Sequence, residues 1–144
     1  MKTRFSSLVS VKKNIMNKSE QVLQKANLNF NNANEALRES LQSLQEIGTP
    51  KSGQISEFLA NRTLLEYQRS IIQHNEDWVE YLKREILEIK EQLKHDMIEY
   101  EKFKYLEVQE IQKILKEEKI KDAKDLDEVA LMTHTRKINI EQAS

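Results

Sequence analysis

The chain has 144 residues, of which 33% are charged and 38% hydrophobic, with only two glycines and one proline. So few turn-forming residues argue against many short elements and favour a few long helices, while the apolar content argues against disorder. The net charge of −1 argues against general nucleic-acid binding, and the absence of cysteine excludes disulfides and thiol chemistry.

Uninterrupted apolar runs in this chain are too short to cross a bilayer, and the N-terminus, MKTRFSSLVSVKKN, lacks the long apolar region of a signal peptide. We therefore expect a cytoplasmic protein with no direct membrane insertion.

The first predicted helix, about residues 4–47, carries a heptad seam. Ten of its thirteen positions at 3-4 spacing are apolar, a pattern sustained for about six repeats. Alanines and serines make this seam thin. The positions are Phe5, Val9, Lys12, Met16, Ser19, Leu23, Ala26, Phe30, Ala33, Leu37, Ser40, Leu44 and Ile47.

Both glycines and the only proline fall within residues 48–53, which we predict to be the turn. Gly48 is placed to end the first helix, and Ser52 or Ser56 to cap the next.

The second predicted helix, about residues 54–121, repeats an apolar residue every seven positions. Between them lie weaker seam positions, among which polar Asn75 is of the kind that fixes register. Beyond Glu107 the pattern changes phase to Val108, Ile111 and Leu115. The sevenfold positions are Phe58, Leu65, Ile72, Val79, Ile86, Leu93 and Tyr100, and the weaker ones are Gln68, Asn75, Leu82, Ile89, Asp96 and Phe103.

The C-terminal segment, residues 122–144, is predicted to be helical or frayed. Asp125, followed three residues later by Glu128, resembles a helix start.

A short loop between two long heptad helices requires them to run antiparallel. With the fold-back centred near Pro50, residue i faces roughly residue 101 minus i. Residues 1–30, with six basic residues and one acidic residue, then face the acidic stretch 71–100. The predicted fold is an all-α, long antiparallel two-helix coiled coil, or α-helical hairpin, with the longer helix second, in a single domain spanning residues 1–144.

No constellation of catalytic, cofactor-binding or metal-binding residues is evident. The chain lacks a glycine-rich phosphate loop, and His74, His95 and His134 are too far apart to share a ligand. His95 and Glu99 are spaced as ligands on one helix, but such a pair is typical of a solvated helix face. We expect no enzyme activity, no cofactor and no metal.

A second apolar stripe runs beside the seam of the second helix, one residue earlier at each position. It is finite, because the next positions in phase, Glu57, Glu85 and Glu88, are charged. One interpretation is intramolecular: the stripe widens the seam or receives the folded-back C-terminal segment. The other is that it forms a partner-binding surface, since exposed Trp and Tyr are enriched at interface hot spots. This aromatic stripe consists of Leu64, Tyr67, Ile71, His74, Trp78 and Tyr81.

The end of the hairpin that carries both termini is a second candidate surface. There the N-terminal residues meet the far part of the second helix, which continues without an intrachain partner. We refer to this set as the terminal cluster, and it consists of Phe5, Leu8, Phe103, Leu106 and Ile111.

Over essentially its whole length the chain resembles the FliJ family, the small soluble component of the flagellar type III export apparatus, and two regions carry the likeness. They are Phe5-x-x-Leu8 followed by Val11, and the C-terminal run from Tyr100-Glu101-Lys102-Phe103 to Lys124-Asp125-Leu126-Asp127-Glu128-Val129-Ala130.

The resemblance implies a non-enzymatic, stalk-like rod for protein transport, flagellum biogenesis and motility. It would bind the ring of the export ATPase through the terminal cluster and the membrane export-gate protein through the aromatic stripe, and would contact export chaperones. It would be a monomer or weak homodimer, peripheral to the inner-membrane export apparatus. The alternative is a homodimeric structural scaffold, or a two-helix chaperone, unrelated to export.

Overall fold

The computed structural model describes residues 2–50 and 53–143. It contains two α-helices, α1 from Ser6–Glu46 and α2 from Ile55–Ala143. The two helices pack antiparallel as a hairpin with the longer helix second, which confirms the predicted all-α fold class. The predicted turn includes Lys51 and Ser52, which lie outside the described residues.

The chain forms two compact units. The hairpin unit is Lys13–Ile98, and the terminal unit combines Met1–Lys12 with Glu99–Ser144. That the chain is a single coiled-coil domain stays a prediction.

The buried face of α1 is the heptad seam predicted from the sequence. All thirteen seam positions are buried or half-buried, whereas every other residue from 7 to 46 is exposed. The small residues Ala26, Ala33 and Ser40 are among the most buried residues of this face. A 3-4 spacing keeps these residues on one side of a helix, so a thin but continuous strip is removed from water.

The seam of α2 is confirmed from Leu65 to Phe103, with Ile72, Leu82 and Ile86 buried. Phe58 was predicted to belong to it and does not, because its side chain is 52% exposed. The first six residues of α2 are all exposed.

The path of the connection between the helices explains why the first residues of α2 are exposed to solvent. The Asn61 side-chain amide donates a hydrogen bond of 2.6 Å to the carbonyl of Gly48. The chain leaving α1 therefore runs beside the second turn of α2, and α1 ends before it reaches Phe58. Neither described glycine has a positive φ, so Gly48 is not a left-handed helix cap.

The register of the two helices differs from the predicted one. Gln68 donates a hydrogen bond of 2.8 Å to the carbonyl of Ser40, where the prediction placed residue 61. Ser19 bonds to Asp96, where residue 82 was expected. The true partners lie seven to fourteen residues further along α2, one to two heptads, because the fold-back is not centred on the connecting segment.

The shifted register weakens the charge complementarity inferred from the sequence. The part of α2 that faces the basic N-terminal stretch is near residues 81–110, which hold eight acidic and six basic residues. The terminal unit nevertheless contains two individual ion pairs between α2 and the start of the chain. The Lys12 ammonium lies 3.7 Å from the Glu99 carboxylate, and the Arg4 guanidinium lies 3.6 Å from that of Glu110.

The C-terminal part of α2 is one continuous helix, so Asp125 does not begin a new one. The predicted change of phase after Glu107 is wrong for Val108 and Leu115, which are 41% and 49% exposed, whereas Ile111 is half-buried as predicted. The old heptad phase also continues, because Glu110 and Ile114 are half-buried. Polar Glu107 and Glu110 occupy this seam by pairing with Lys104 and Arg4, which the apolar pattern alone does not reveal. From residue 115 to residue 142 every side chain is exposed.

Candidate docking surfaces

The aromatic stripe lies on the flank of the hairpin unit, one residue ahead of each seam position. The side chains of Leu64, Trp78 and Tyr81 are 50%, 48% and 51% exposed, and Tyr67 is 65% exposed. His74 is exposed as well. A seam residue such as Leu82, at 5%, is far more protected, so the stripe is a surface and not part of the core.

Ile71 is the stripe residue closest to the seam. It is half-buried, so it widens the seam at one point, as one of the two sequence interpretations allowed. Its neighbours in the stripe remain open to water, and the C-terminal residues from 115 to 142 are themselves exposed. These C-terminal residues belong to one continuous helix that runs to Ala143, so they do not form a separate segment that folds back.

Trp78 and Tyr81 form a stacked pair within the stripe. Their ring centroids are 5.4 Å apart and their planes differ by 16°. Because residues three apart on a helix are neighbours, the two rings lie together and present one flat apolar area instead of two separate side chains. Large, rigid aromatic surfaces of this kind dominate binding energy at protein interfaces.

The part of α1 beside the stripe is small or polar. In an antiparallel helix pair, residues that directly precede the seam positions of the two helices lie on the same side. On α1 these positions facing the stripe are Asn29, Asn32, Ala36, Glu39, Ser43 and Glu46, all exposed. No large side chain of α1 covers the rings, so the stripe is accessible from the side.

One charged pair on α1 is already internally satisfied. The Arg38 guanidinium bonds to both carboxylate oxygens of Glu35, with Nε at 3.1 Å. This hydrogen bond lowers the pKa of the Glu35 carboxyl below its ordinary value. The side chains of Arg38 and Glu35 are 65% and 52% exposed, so the pair is a local surface contact.

The terminal cluster is less open than the sequence suggested. Phe5, Phe103, Leu106 and Ile111 are half-buried, and Leu8 is 42% exposed. The ammonium groups of Lys12 and Lys102 lie 5.7 and 5.5 Å from the Phe103 ring centroid. These side chains thus form packing within the terminal unit, with only part of their surface free for a partner.

A groove in the terminal unit was missed by the sequence reasoning. Phe5 and Leu106 form its apolar part, and it is lined further by Arg4, Gln109, Glu110, Gln112, Lys113 and Lys116. No local signal marks it, because it exists only where the start of the chain meets the second helix.

Along the described helices, no stretch is long and apolar enough to cross a membrane. The described residues likewise contain no group of three histidine, aspartate or glutamate side chains placed to hold a metal ion.

The comparisons with known proteins address identity. A family model described as flagellar FliJ protein matches residues 1–139. No curated protein and no solved structure matches the chain. The match covers nearly the whole sequence and confirms the resemblance inferred from the sequence. This chain therefore belongs to the FliJ family and is a flagellar component related to protein export.

Proposed function

We propose that this chain is a non-enzymatic component of the flagellar type III export apparatus that links the export ATPase to the membrane export gate. In this proposal the aromatic stripe binds the gate protein, and the terminal cluster with the exposed end of α2 binds the ATPase ring. Export chaperones are further partners. The protein acts in the cytoplasm, as a monomer or weak homodimer, peripherally associated with the inner-membrane apparatus.

The observation that carries the gate part of the proposal is the exposed Trp78–Tyr81 stack within an apolar stripe of limited length. A contiguous apolar patch that faces water lowers the solubility of a protein, so such patches are uncommon unless they bind a partner. Aromatic side chains within them usually contribute most of the binding energy. The seam is closed without it, so removing its side chains need not disturb the hairpin.

The gate experiment uses the double variant Ile71→Ala/Trp78→Ala. We expect it to lose binding to the cytosolic part of the export-gate protein, measured by pull-down and calorimetry. Its helical content should stay close to that of the parent chain and its melting temperature should fall only modestly, because Trp78 is half-exposed and Ile71 is only half-buried at the edge of the seam. Leu87→Ala/Ile98→Ala is the matched control, since these side chains are 59% and 54% exposed and lie outside the stripe.

Two results contradict the gate part of the proposal. One is undiminished gate binding by Ile71→Ala/Trp78→Ala. The other is a large fall in melting temperature for that variant, which would mean that the stripe is a core.

The ATPase part rests on the terminal unit, where α2 runs on with all side chains exposed from residue 115 to residue 142. A chain lacking residues 1–8 and everything after residue 120 should no longer stimulate the export ATPase, while its remaining helices stay folded. Retained stimulation would refute this assignment.

A homodimeric scaffold is the competing function. Sedimentation equilibrium separates the two, because the export proposal expects a monomer or weak dimer at micromolar concentration and the scaffold a tight dimer.

A further inference from the structure

We infer that the aromatic stripe docks an amphipathic helix of about five turns that carries an apolar ridge along its middle and lysine or arginine at both ends. This inference rests on the proposed function, because it specifies the chemistry of the gate segment that the stripe binds. It concerns the hairpin unit alone.

The length and type of the partner follow from the spacing of the stripe. Leu64 and Tyr81 bound it, and 17 residues of helix rise about 26 Å, close to five turns. Between them the side chains follow one another at intervals of three and four residues, which is the spacing that a second helix lying alongside can fill with its own ridge. A strand or an irregular loop would not match this ridge over five turns.

The width of the site follows from the neighbouring face of α1. Ala36 and Ser43 are short and lie on the side of α1 that faces the stripe. The Asn75 amide donates a hydrogen bond of 3.4 Å to the Ala36 carbonyl, so Ala36 lies beside the middle of the stripe. A partner helix can thus pack between the Trp78–Tyr81 stack and the side of α1 that carries short side chains. It would form the third member of a three-helix contact.

The charge of the partner follows from acidic groups at both ends of the stripe. Glu85 and Glu88 continue the stripe in phase beyond Tyr81. At the turn-proximal end, Glu46 directly precedes the seam position Ile47 and so lies on the same side of α1. Lys25, which precedes the seam position Ala26, also lies on this side, toward Glu85. Across the described residues, neither Lys25 nor any other side chain forms an ion pair with these three carboxylates. A partner with basic ends would satisfy them, whereas one with acidic ends would be repelled.

The same charges argue against a second copy of this chain as the occupant. If two stripes met antiparallel, Glu85 and Glu88 of one copy would approach Glu46 of the other. If they met parallel, each carboxylate would approach its own equivalent. Both orientations bring like charges together at both ends, which costs affinity.

The test uses a synthetic helical peptide of about 20 residues with leucines at 3-4 spacing and lysines at both ends. Two matched peptides carry glutamates at the ends, or uncharged ends. Binding is followed through the fluorescence of Trp78, the only tryptophan in the chain. The lysine peptide should bind at least about tenfold more tightly than the glutamate peptide, and this preference should shrink as salt is raised.

Charge reversal on the protein provides the second arm. Glu85→Lys/Glu88→Lys should weaken binding of the lysine peptide about tenfold and invert the preference between peptides. The matched control is Glu76→Lys/Glu80→Lys, which makes the same change of net charge on exposed residues of the opposite flank of α2. The control should leave the preference intact.

The outcomes separate this inference from the proposed function. If both charge-reversal variants behave alike, or if the three peptides bind equally, the inference is wrong, even where Ile71→Ala/Trp78→Ala still abolishes gate binding. If that alanine variant binds the gate normally, the proposed function itself fails. A tight homodimer that depends on Trp78 overturns the inference as well, since it makes a second copy the occupant.

Discussion

The Ser19 hydroxyl donates a hydrogen bond to the carboxylate of Asp96, and this contact joins α1 to α2 inside the seam. Asp96 is only 6% exposed, and its second carboxylate oxygen accepts a hydrogen bond of 3.0 Å from Gln92. A buried carboxylate is tolerated only where donors surround it, so this pair favours one alignment of the helices over those shifted by a heptad.

Removing the hydroxyl should cost more than its size suggests. Ser19→Ala leaves the buried Asp96 carboxylate without one of its donors, and we expect the free energy of unfolding to fall by about 1–3 kcal/mol. Urea unfolding followed by circular dichroism measures this. Ser10→Ala, on the exposed face of α1, is the control and should change little. Equal effects of the two substitutions would mean that the Ser19–Asp96 hydrogen bond does not stabilise the observed alignment of the helices.

Core and stripe leucines should respond differently to truncation. Leu82 is 5% exposed and Leu64 is 50% exposed. Leu82→Ala should reduce the free energy of unfolding by about 2–4 kcal/mol, and Leu64→Ala by no more than about 1 kcal/mol. Thermal melts of the two variants, compared at equal concentration, decide the matter. A reversed order would place the stripe in the core and the seam outside it.

The end of α2 should exchange its amide hydrogens quickly. Residues 115–142 are exposed, and an isolated helix gains little stability from its backbone alone. We expect protection in this segment to be far below that of residues 65–100, and to rise when the export ATPase is added. Hydrogen exchange with mass spectrometry resolves the two segments. Strong protection of the free end would require packing that the described residues do not show.

The Lys12–Glu99 ion pair should contribute modestly. Its side chains are 28% and 25% exposed, and the Lys12 ammonium also lies over the Phe103 ring. A double-mutant cycle with Lys12→Met and Glu99→Gln should give a coupling energy of about 1 kcal/mol or less, falling as salt is raised. A coupling of several kcal/mol, or one independent of salt, would show that the pair is desolvated.

The buried faces of both helices were predictable because they depend on local spacing. The 3-4 pattern specifies which side of each helix faces its partner, and the positions from Phe5 to Ile47 are protected as expected. How far one helix slides along the other is not local. It depends on the path of the connection, such as the Asn61 contact with Gly48, and on polar pairs like Ser19 with Asp96.

Charge was a poor guide to that sliding. The attraction between oppositely charged stretches is weak where the side chains are exposed. Specific contacts within the seam therefore outweigh it, and they decide how far one helix is shifted along the other. The same limit explains Glu107 and Glu110, whose place in the seam depends on Lys104 and Arg4 and not on hydrophobicity.

The aromatic stripe was predictable from sequence because it is a second pattern on a single helix. Its exposure was one of the two interpretations that the sequence left open, and Ile71 at the edge of the seam is the exception to it. The partial burial of the terminal cluster was not predictable. It arises from contacts across the chain, among them the lysines over Phe103.

Collisional quenching of Trp78 fluorescence, with and without the cytosolic part of the export gate, tests the central claim most directly. Trp78 is the only tryptophan, lies within the interface that we propose, and is 48% exposed in the free chain. We predict ready quenching by acrylamide in the free monomer, and a blue shift with strong protection at saturating gate protein. Protection already present in the free monomer, or quenching unchanged by the gate, would contradict the account.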